Sequence, residues 1–286
     1  MKRTPILYIC IALASIMLLG GCKEHGKQEN VMYVSIAPIK YIVEQIVGDD
    51  FRVEVLVSVG ASPETFEPTP RQFIELNSSR LIFSTGLLDF ERALLNKVEN
   101  RSKIIDLSRG IHPIVGTCSH THHGHHCHHG VDPHIWCSPK ELQTMAENTF
   151  SAIRAEMPDS VKYEEQYNIL CQKLLDLDEE VAEMCRYARL PYFVIFHPAL
   201  TYFARAYGIE QVAIENEGKE AGVKRIGNII DKARKDGITK VFYQAEFPKS
   251  SVEAICTEIG AEAVEINPLQ ENIIENLREI TRLITE

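Results

Sequence analysis

The feature that most constrains this chain is a strand-and-helix alternation that occurs twice, with one long helical stretch between the rounds. In the first round VMYVSI (31–36), VEVLVSV (53–59), RLIFST (80–85) and KIIDLS (103–108) have the apolar, β-branched character of buried strands. Helical periodicity over 39–47, 72–77 and 88–98 separates them. The second round has PYFVIF (191–196), IEQVAI (209–214), KVFYQ (240–244) and EAVEI (262–266), with helical patterns over 199–207, 223–235, 250–259 and 271–285. Strands that alternate with helices form a mainly parallel sheet covered by helices. Between the rounds, residues 141–188 place Leu142, Met145, Phe150, Ile153, Leu170, Leu174, Leu177 and Val181 at helical spacing. The MPDS at 157–160 kinks or restarts that helix, because Pro158 has no N–H to donate. The predicted fold class is α/β: two α/β lobes with mainly parallel sheets, joined by one long connecting helix. The boundaries read as a lobe over 31–138, the connector over 139–189 and a second lobe over 190–286. Ligands of open α/β sheets bind beyond the strand carboxyl ends, so the cleft between lobes is the expected site.

The N-terminus reads as an address, not as fold. Lys2 and Arg3 precede an apolar stretch over 6–19 that is too short for a comfortable membrane span. Leu19-Gly20-Gly21-Cys22 then resembles the bacterial lipobox, in which the cysteine is diacylated and becomes the first mature residue. Residues 1–22 are therefore expected to be a lipoprotein signal peptide, with Cys22 lipidated and the polar 23–30 a tether. The mature chain is expected to be exported and lipid-anchored, facing the periplasm or cell surface, and monomeric. A net charge of −10 argues against nucleic acid as a partner. An exported chain with eight cysteines raises the question of disulfides. Cys10 leaves with the signal. Cys171 and Cys185 share one predicted helix and would lie about 21 Å apart, beyond disulfide reach. No disulfide framework emerges.

Histidine carries the chemistry. Of 11 histidines, His120, His122, His123, His125, His126, His128 and His129 crowd into TCSHTHHGHHCHHG, residues 117–130. Imidazole binds first-row divalent metals well, and Cys118 and Cys127 add thiolates if reduced. Such a segment cannot build a packed core and reads as a metal-binding loop with many interchangeable sites. A selective site needs a few rigid ligands at strand ends. Glu64 follows the second strand, His134 lies in DPHIW before the long helix, and His197 ends the strand at 191–196. Drawn from both lobes, they would converge in one cleft. Asp132 reads equally as a turn residue before Pro133 or as a partner that orients a histidine.

These segments also resemble a known family. GASPETFEPTP (60–70), VDPHIWCSPK (131–140) behind a His-rich insertion, FHPALTYFARAYGI (196–209), VFYQAEFPKSSVEAI (241–255) and EINPL (265–269) are similar to the metal-binding substrate-binding proteins of bacterial ABC importers for zinc and manganese. The resemblance covers the whole mature chain. It implies two α/β lobes bridged by a long helix, and capture of Zn²⁺ outside the cytoplasmic membrane for delivery to an importer permease. It puts His134 and His197 at metal-ligand positions, and Glu64 where relatives usually carry a histidine. The family's fourth position falls on Asn267, a poor zinc donor, and Gln244 replaces a common acidic residue with Glu246 two residues on. The fourth donor is thus left to Glu246, Asn267, water or a loop histidine. Glu64 moves the site toward Mn²⁺ or Fe²⁺, while Asn267 and the loop move it back to Zn²⁺. Two other functions stay in view. A zinc hydrolase would also use two histidines and a glutamate, but there is no H-E-x-x-H and no evident general base. A surface metal buffer or adhesin would need only the loop.

Overall fold

A computed structural model describes residues 30–115, 130–158, 160–216, 219–220 and 222–286. The expected signal peptide, Cys22, most of the tether and the seven clustered histidines lie outside them. The first lobe holds β1 (Val31–Val34), α1 (Ala37–Val47), β2 (Arg52–Val55), α2 (Pro70–Ser78), β3 (Ile82–Ser84), α3 (Asp89–Leu95) and β4 (Ile104–Asp106). Then come α4 (Pro139–Glu156) and α5 (Val161–Arg186). The second lobe holds β5 (Tyr192–Ile195), α6 (Thr201–Tyr207), β6 (Glu210–Ala213), β7 (Glu215–Asn216), β8 (Lys219–Glu220), α7 (Val223–Asp236), β9 (Lys240–Gln244), α8 (Ser250–Ile259), β10 (Glu262–Ile266) and α9 (Ile273–Thr285).

Each lobe has one sheet of four parallel strands, ordered β2-β1-β3-β4 in the first and β10-β9-β5-β6 in the second. Numbered within its own lobe, each sheet has the order 2-1-3-4. The strand order reverses between the first and third strands, at β1/β3 and at β5/β9, and those are the crevices where such sheets bind ligands. The antiparallel β7–β8 pair is an addition that sequence periodicity does not announce.

The helical stretch over 139–189 is not one continuous rod. Met157 has φ −137° and ψ 67°, away from helical values, as expected for the residue before Pro158. The chain then doubles back. Phe150 and Tyr167 stack at 4.3 Å between centroids with planes 6° apart, whereas 17 residues of straight helix would separate them by about 25 Å. Helix α4 packs on β4 and α1 of the first lobe. Helix α5 is the connector, packed on α1 of one lobe and α9 of the other, while α4 also touches α6 of the second lobe. Leu170, Leu174, Leu177 and Val181 on its inner face are all buried.

The main core runs without interruption from the first lobe, through α4 and α5, to one face of the second sheet. Strand alternation explains the division. Phe193, Ile195 and Phe242 point into this shared core, while Tyr192, Val194, Val241 and Tyr243 form a separate cluster with α7 and α8. A shared core favours lobes that move little against each other.

Candidate metal centre

Three ligand-type side chains meet between the lobes. Glu64, His134 and His197 each present one donor atom, and these atoms lie within 4.8 Å of one another. The His134 and His197 Nε2 atoms are 3.4 Å apart, and Glu64 Oε1 is 3.0 Å from His197 Nε2. A tetrahedral ion with bonds of about 2.0–2.1 Å holds neighbouring donors about 3.3 Å apart. The spacing therefore suits one ion of zinc's size without rearrangement of the histidines. Both imidazoles are buried, while Glu64 sits on the rim with 41% of its side chain exposed.

Each donor is positioned by a local device. Glu64 rides on the turn after β2, where its N–H donates to Ser62 Oγ, and Phe66 packs edge-on against Phe90 at 5.0 Å. His134 is held by Asp132, whose Oδ1 accepts from the His134 backbone N–H at 2.9 Å and from Nδ1 at 2.8 Å. Asp132 is thus both the turn residue and the orienting partner. It is itself pinned from the second lobe, since Tyr202 Oη donates to the Asp132 carbonyl at 2.8 Å. His197 follows β5 at the β5/β9 reversal. Gln244 bridges that crevice: its Oε1 accepts from His197 N–H and its Nε2 donates to the His197 carbonyl. The Gln244 amide is therefore spent on fixing the His197 backbone.

Glu215 is the residue that the sequence reading missed. It is buried at the start of β7, two residues beyond β6, and its Oε2 accepts from His197 Nδ1 at 3.0 Å. With Nδ1–H committed to a carboxylate in both histidines, each turns Nε2 toward the common centre. Only the placement of Glu215 beside a strand end could have marked it. Trp136 was also not singled out. Its ring lies 5.1 Å from that of His134, and its Nε1 donates across the lobes to the Pro268 carbonyl at 3.1 Å.

The three donors line a cavity of about 30 Å³ together with Leu88, Trp136, Glu246 and Leu269, room for one ion or one water. Glu246 is present but outside the close trio. Asn267 does not line this cavity; its Oδ1 accepts from Leu269 N–H, which leaves it turned to the backbone.

Charge in the site is arranged around His197. Burial alone would lower its pKa, but hydrogen bonds to Glu215 and Glu64 outweigh burial and push it up to about 9. The same contact with His197 holds the Glu64 carboxyl below its ordinary range. A metal must displace the proton from Nε2. Affinity should therefore rise with pH up to about 9 and fall about tenfold per unit below it, roughly 100-fold between pH 8 and pH 6 from this histidine alone. Competition titrations across that range check it, and a flat profile would remove His197 from the ligand set.

The described cysteines Cys137, Cys171, Cys185 and Cys256 are free thiols. Among the described residues, no helix is long and apolar enough to cross a membrane.

Solved structures with this architecture include metal-bound ones. A zinc-bound deletion mutant of ZnuA superposes with a TM-score of 0.80 and 32% identity, over 89% of this chain and 96% of that one. A mutant, manganese-bound form of the periplasmic metal binding protein from Candidatus Liberibacter asiaticus gives a TM-score of 0.74 at 20% identity, over 89% of this chain and 98% of that one, and so speaks for the fold alone. The zinc-binding lipoprotein AdcA of Streptococcus pneumoniae (strain ATCC BAA-255 / R6) is 24% identical over 283 residues, covering 94% of this chain and 56% of AdcA. The chain thus spans little more than half the length of that curated relative. The family model described as zinc-uptake complex component A, periplasmic, matches residues 32–286. That family is one of metal-binding transport components, not enzymes. With nearly all of its described fold inside that match, the chain belongs to the zinc-uptake complex component A family.

Proposed function

We propose that this chain captures Zn²⁺ outside the cytoplasmic membrane through Glu64, His134 and His197 and delivers it to an ABC-type importer. The observation that carries the reading is the convergence of three donors from both lobes at tetrahedral spacing, with a carboxylate behind each imidazole. Two imidazoles and one carboxylate form a donor set that suits Zn²⁺ better than the harder Mn²⁺. Family membership supports the importer as partner, and the lipoprotein relative supports anchoring through Cys22.

The His-rich loop is given a collecting role. Val115 and Val131 pair as an antiparallel bridge, and Asp132 N–H donates to the Ile114 carbonyl at 2.8 Å. The residues between them, including His120, His122, His123, His125, His126, His128 and His129, therefore leave and return three residues from His134.

The experiment compares Zn²⁺ and Mn²⁺ binding to protein lacking 117–129. Zn²⁺ is expected to bind with one high-affinity site and to outcompete Mn²⁺ by at least about 100-fold, in line with the usual order of divalent affinities at imidazole sites. A preference for Mn²⁺ would defeat the zinc assignment.

A further inference from the structure

Three protein donors leave a tetrahedral ion one short. The residues around the cavity narrow the choice. Gln244 has both ends of its amide bound to the His197 backbone, and Asn267 Oδ1 is bound to Leu269 N–H. Asp132 and Glu215 are engaged with the Nδ1 atoms of the two histidines. Glu246 differs from all of them. Among the described residues its carboxylate takes a hydrogen bond only from its own backbone N–H. It lines the metal cavity, and it also lines a second cavity of about 240 Å³ between the lobes, against Ala37, Ser58 and Gln270. It therefore stands on the partition between the ion's position and a larger space.

The backbone beside it is fixed close to the centre. Gln244 locks one side, and on the other the Phe247 ring lies 5.6 Å from that of His197 and 5.0 Å from that of Phe196. The main chain thus has little freedom, while the side chain has several torsions.

We propose that Glu246 is the fourth metal ligand, its carboxylate turning from the partition onto the ion when metal binds. The proposal rests on the metal-centre reading and deepens it. The bound ion would then sit among two imidazoles and two carboxylates, a set whose two negative charges balance a divalent cation. Glu246 also sets selectivity, since a second carboxylate makes the site more hospitable to harder ions such as Mn²⁺ than two histidines and Glu64 alone.

The test uses the full mature chain and the variants Glu246→Gln, Glu246→Ala and His134→Ala. Zn²⁺ and Mn²⁺ affinities are measured by competition, and Co²⁺ visible absorption reports the ligand field. Both Glu246 variants should lose at least roughly ten- to a hundredfold in Zn²⁺ affinity, lose more for Mn²⁺, and change the Co²⁺ spectrum. Unchanged affinities and spectrum would overturn the proposal. Weaker binding with an unchanged spectrum would also overturn it, by showing a charge acting from a distance. His134→Ala separates the two levels: if it alone abolishes the Co²⁺ signal, the centre stands and only Glu246 falls. If it leaves the signal intact, the metal-centre reading itself fails. Melting of the metal-free variants controls for folding, and Glu246 lies in a loop after β9 that is outside the core.

Discussion

Replacement of His197 by alanine is expected to cost roughly 100- to 1,000-fold in Zn²⁺ affinity with the fold intact. The magnitude follows from sharing a zinc-site binding energy of about 10–16 kcal/mol among four ligands, about 2.5–4 kcal/mol each. His197 is also the hub of the site. Its Nε2 lies 3.0 Å from Glu64 and 3.4 Å from His134, and its Nδ1 lies 3.0 Å from Glu215. The alanine variant therefore leaves buried Glu215 without its partner as well as removing a ligand. Glutamine in place of Glu215 should show the smaller, indirect effect of a lost orienting group, about 10–100-fold. Competition against a chelating dye measures both. Equal, small losses in the two variants would mean that His197 does not touch the metal.

Replacement of Trp136 by alanine is expected to destabilise the metal-free protein by about 3–5 kcal/mol, the usual cost of deleting a large buried aromatic ring. That is a large share of a typical stability of about 5–15 kcal/mol. Trp136 is 1% exposed and belongs to the buried turn Ile135–Cys137 that leads from His134 into α4. Its indole N–H reaches the Pro268 carbonyl in the other lobe, so the side chain ties the lobes beside the metal cavity. Phenylalanine keeps most of the volume but removes the N–H, and should cost about 1–3 kcal/mol. Denaturant unfolding of metal-free protein measures both changes. A loss under about 1 kcal/mol for alanine would show that this contact does not couple the lobes. Trp136 is the chain's single tryptophan. In the wild-type protein its emission should therefore change on metal binding, because its ring lies against His134.

The lobes were legible because each strand is a short apolar run closed by polar or turn residues. All eight expected strands are present in two parallel sheets, though several are shorter than their apolar runs. In the second strand, Leu56 and Val57 lie past the strand's end at Val55 yet stay buried, and their N–H groups still donate to the Val34 and Ser35 carbonyls, so the apolar run marks where the chain keeps its neighbour. The connector was half legible. Pro158 marked the break, but helical periodicity carries no direction, and only the stacking of Phe150 on Tyr167 shows that the chain doubles back. For the site, the histidines stood out by type and by strand-end position. Glu215 did not, because an acidic residue at a strand end is usually solvated. What makes it functional is its burial against His197, a tertiary fact with no periodicity of its own. Gln244 reads as a lost acid in sequence and proves to be a clamp on the ligand's backbone.

The most direct test of the central claim is a crystal structure of the zinc-loaded protein with anomalous diffraction recorded on both sides of the zinc absorption edge. A single strong anomalous peak is expected between Glu64, His134 and His197, at about 2.0–2.2 Å from Glu64 Oε1 and from both Nε2 atoms. A peak found only outside that cavity, with the three side chains still joined to each other as in this structure, would contradict it.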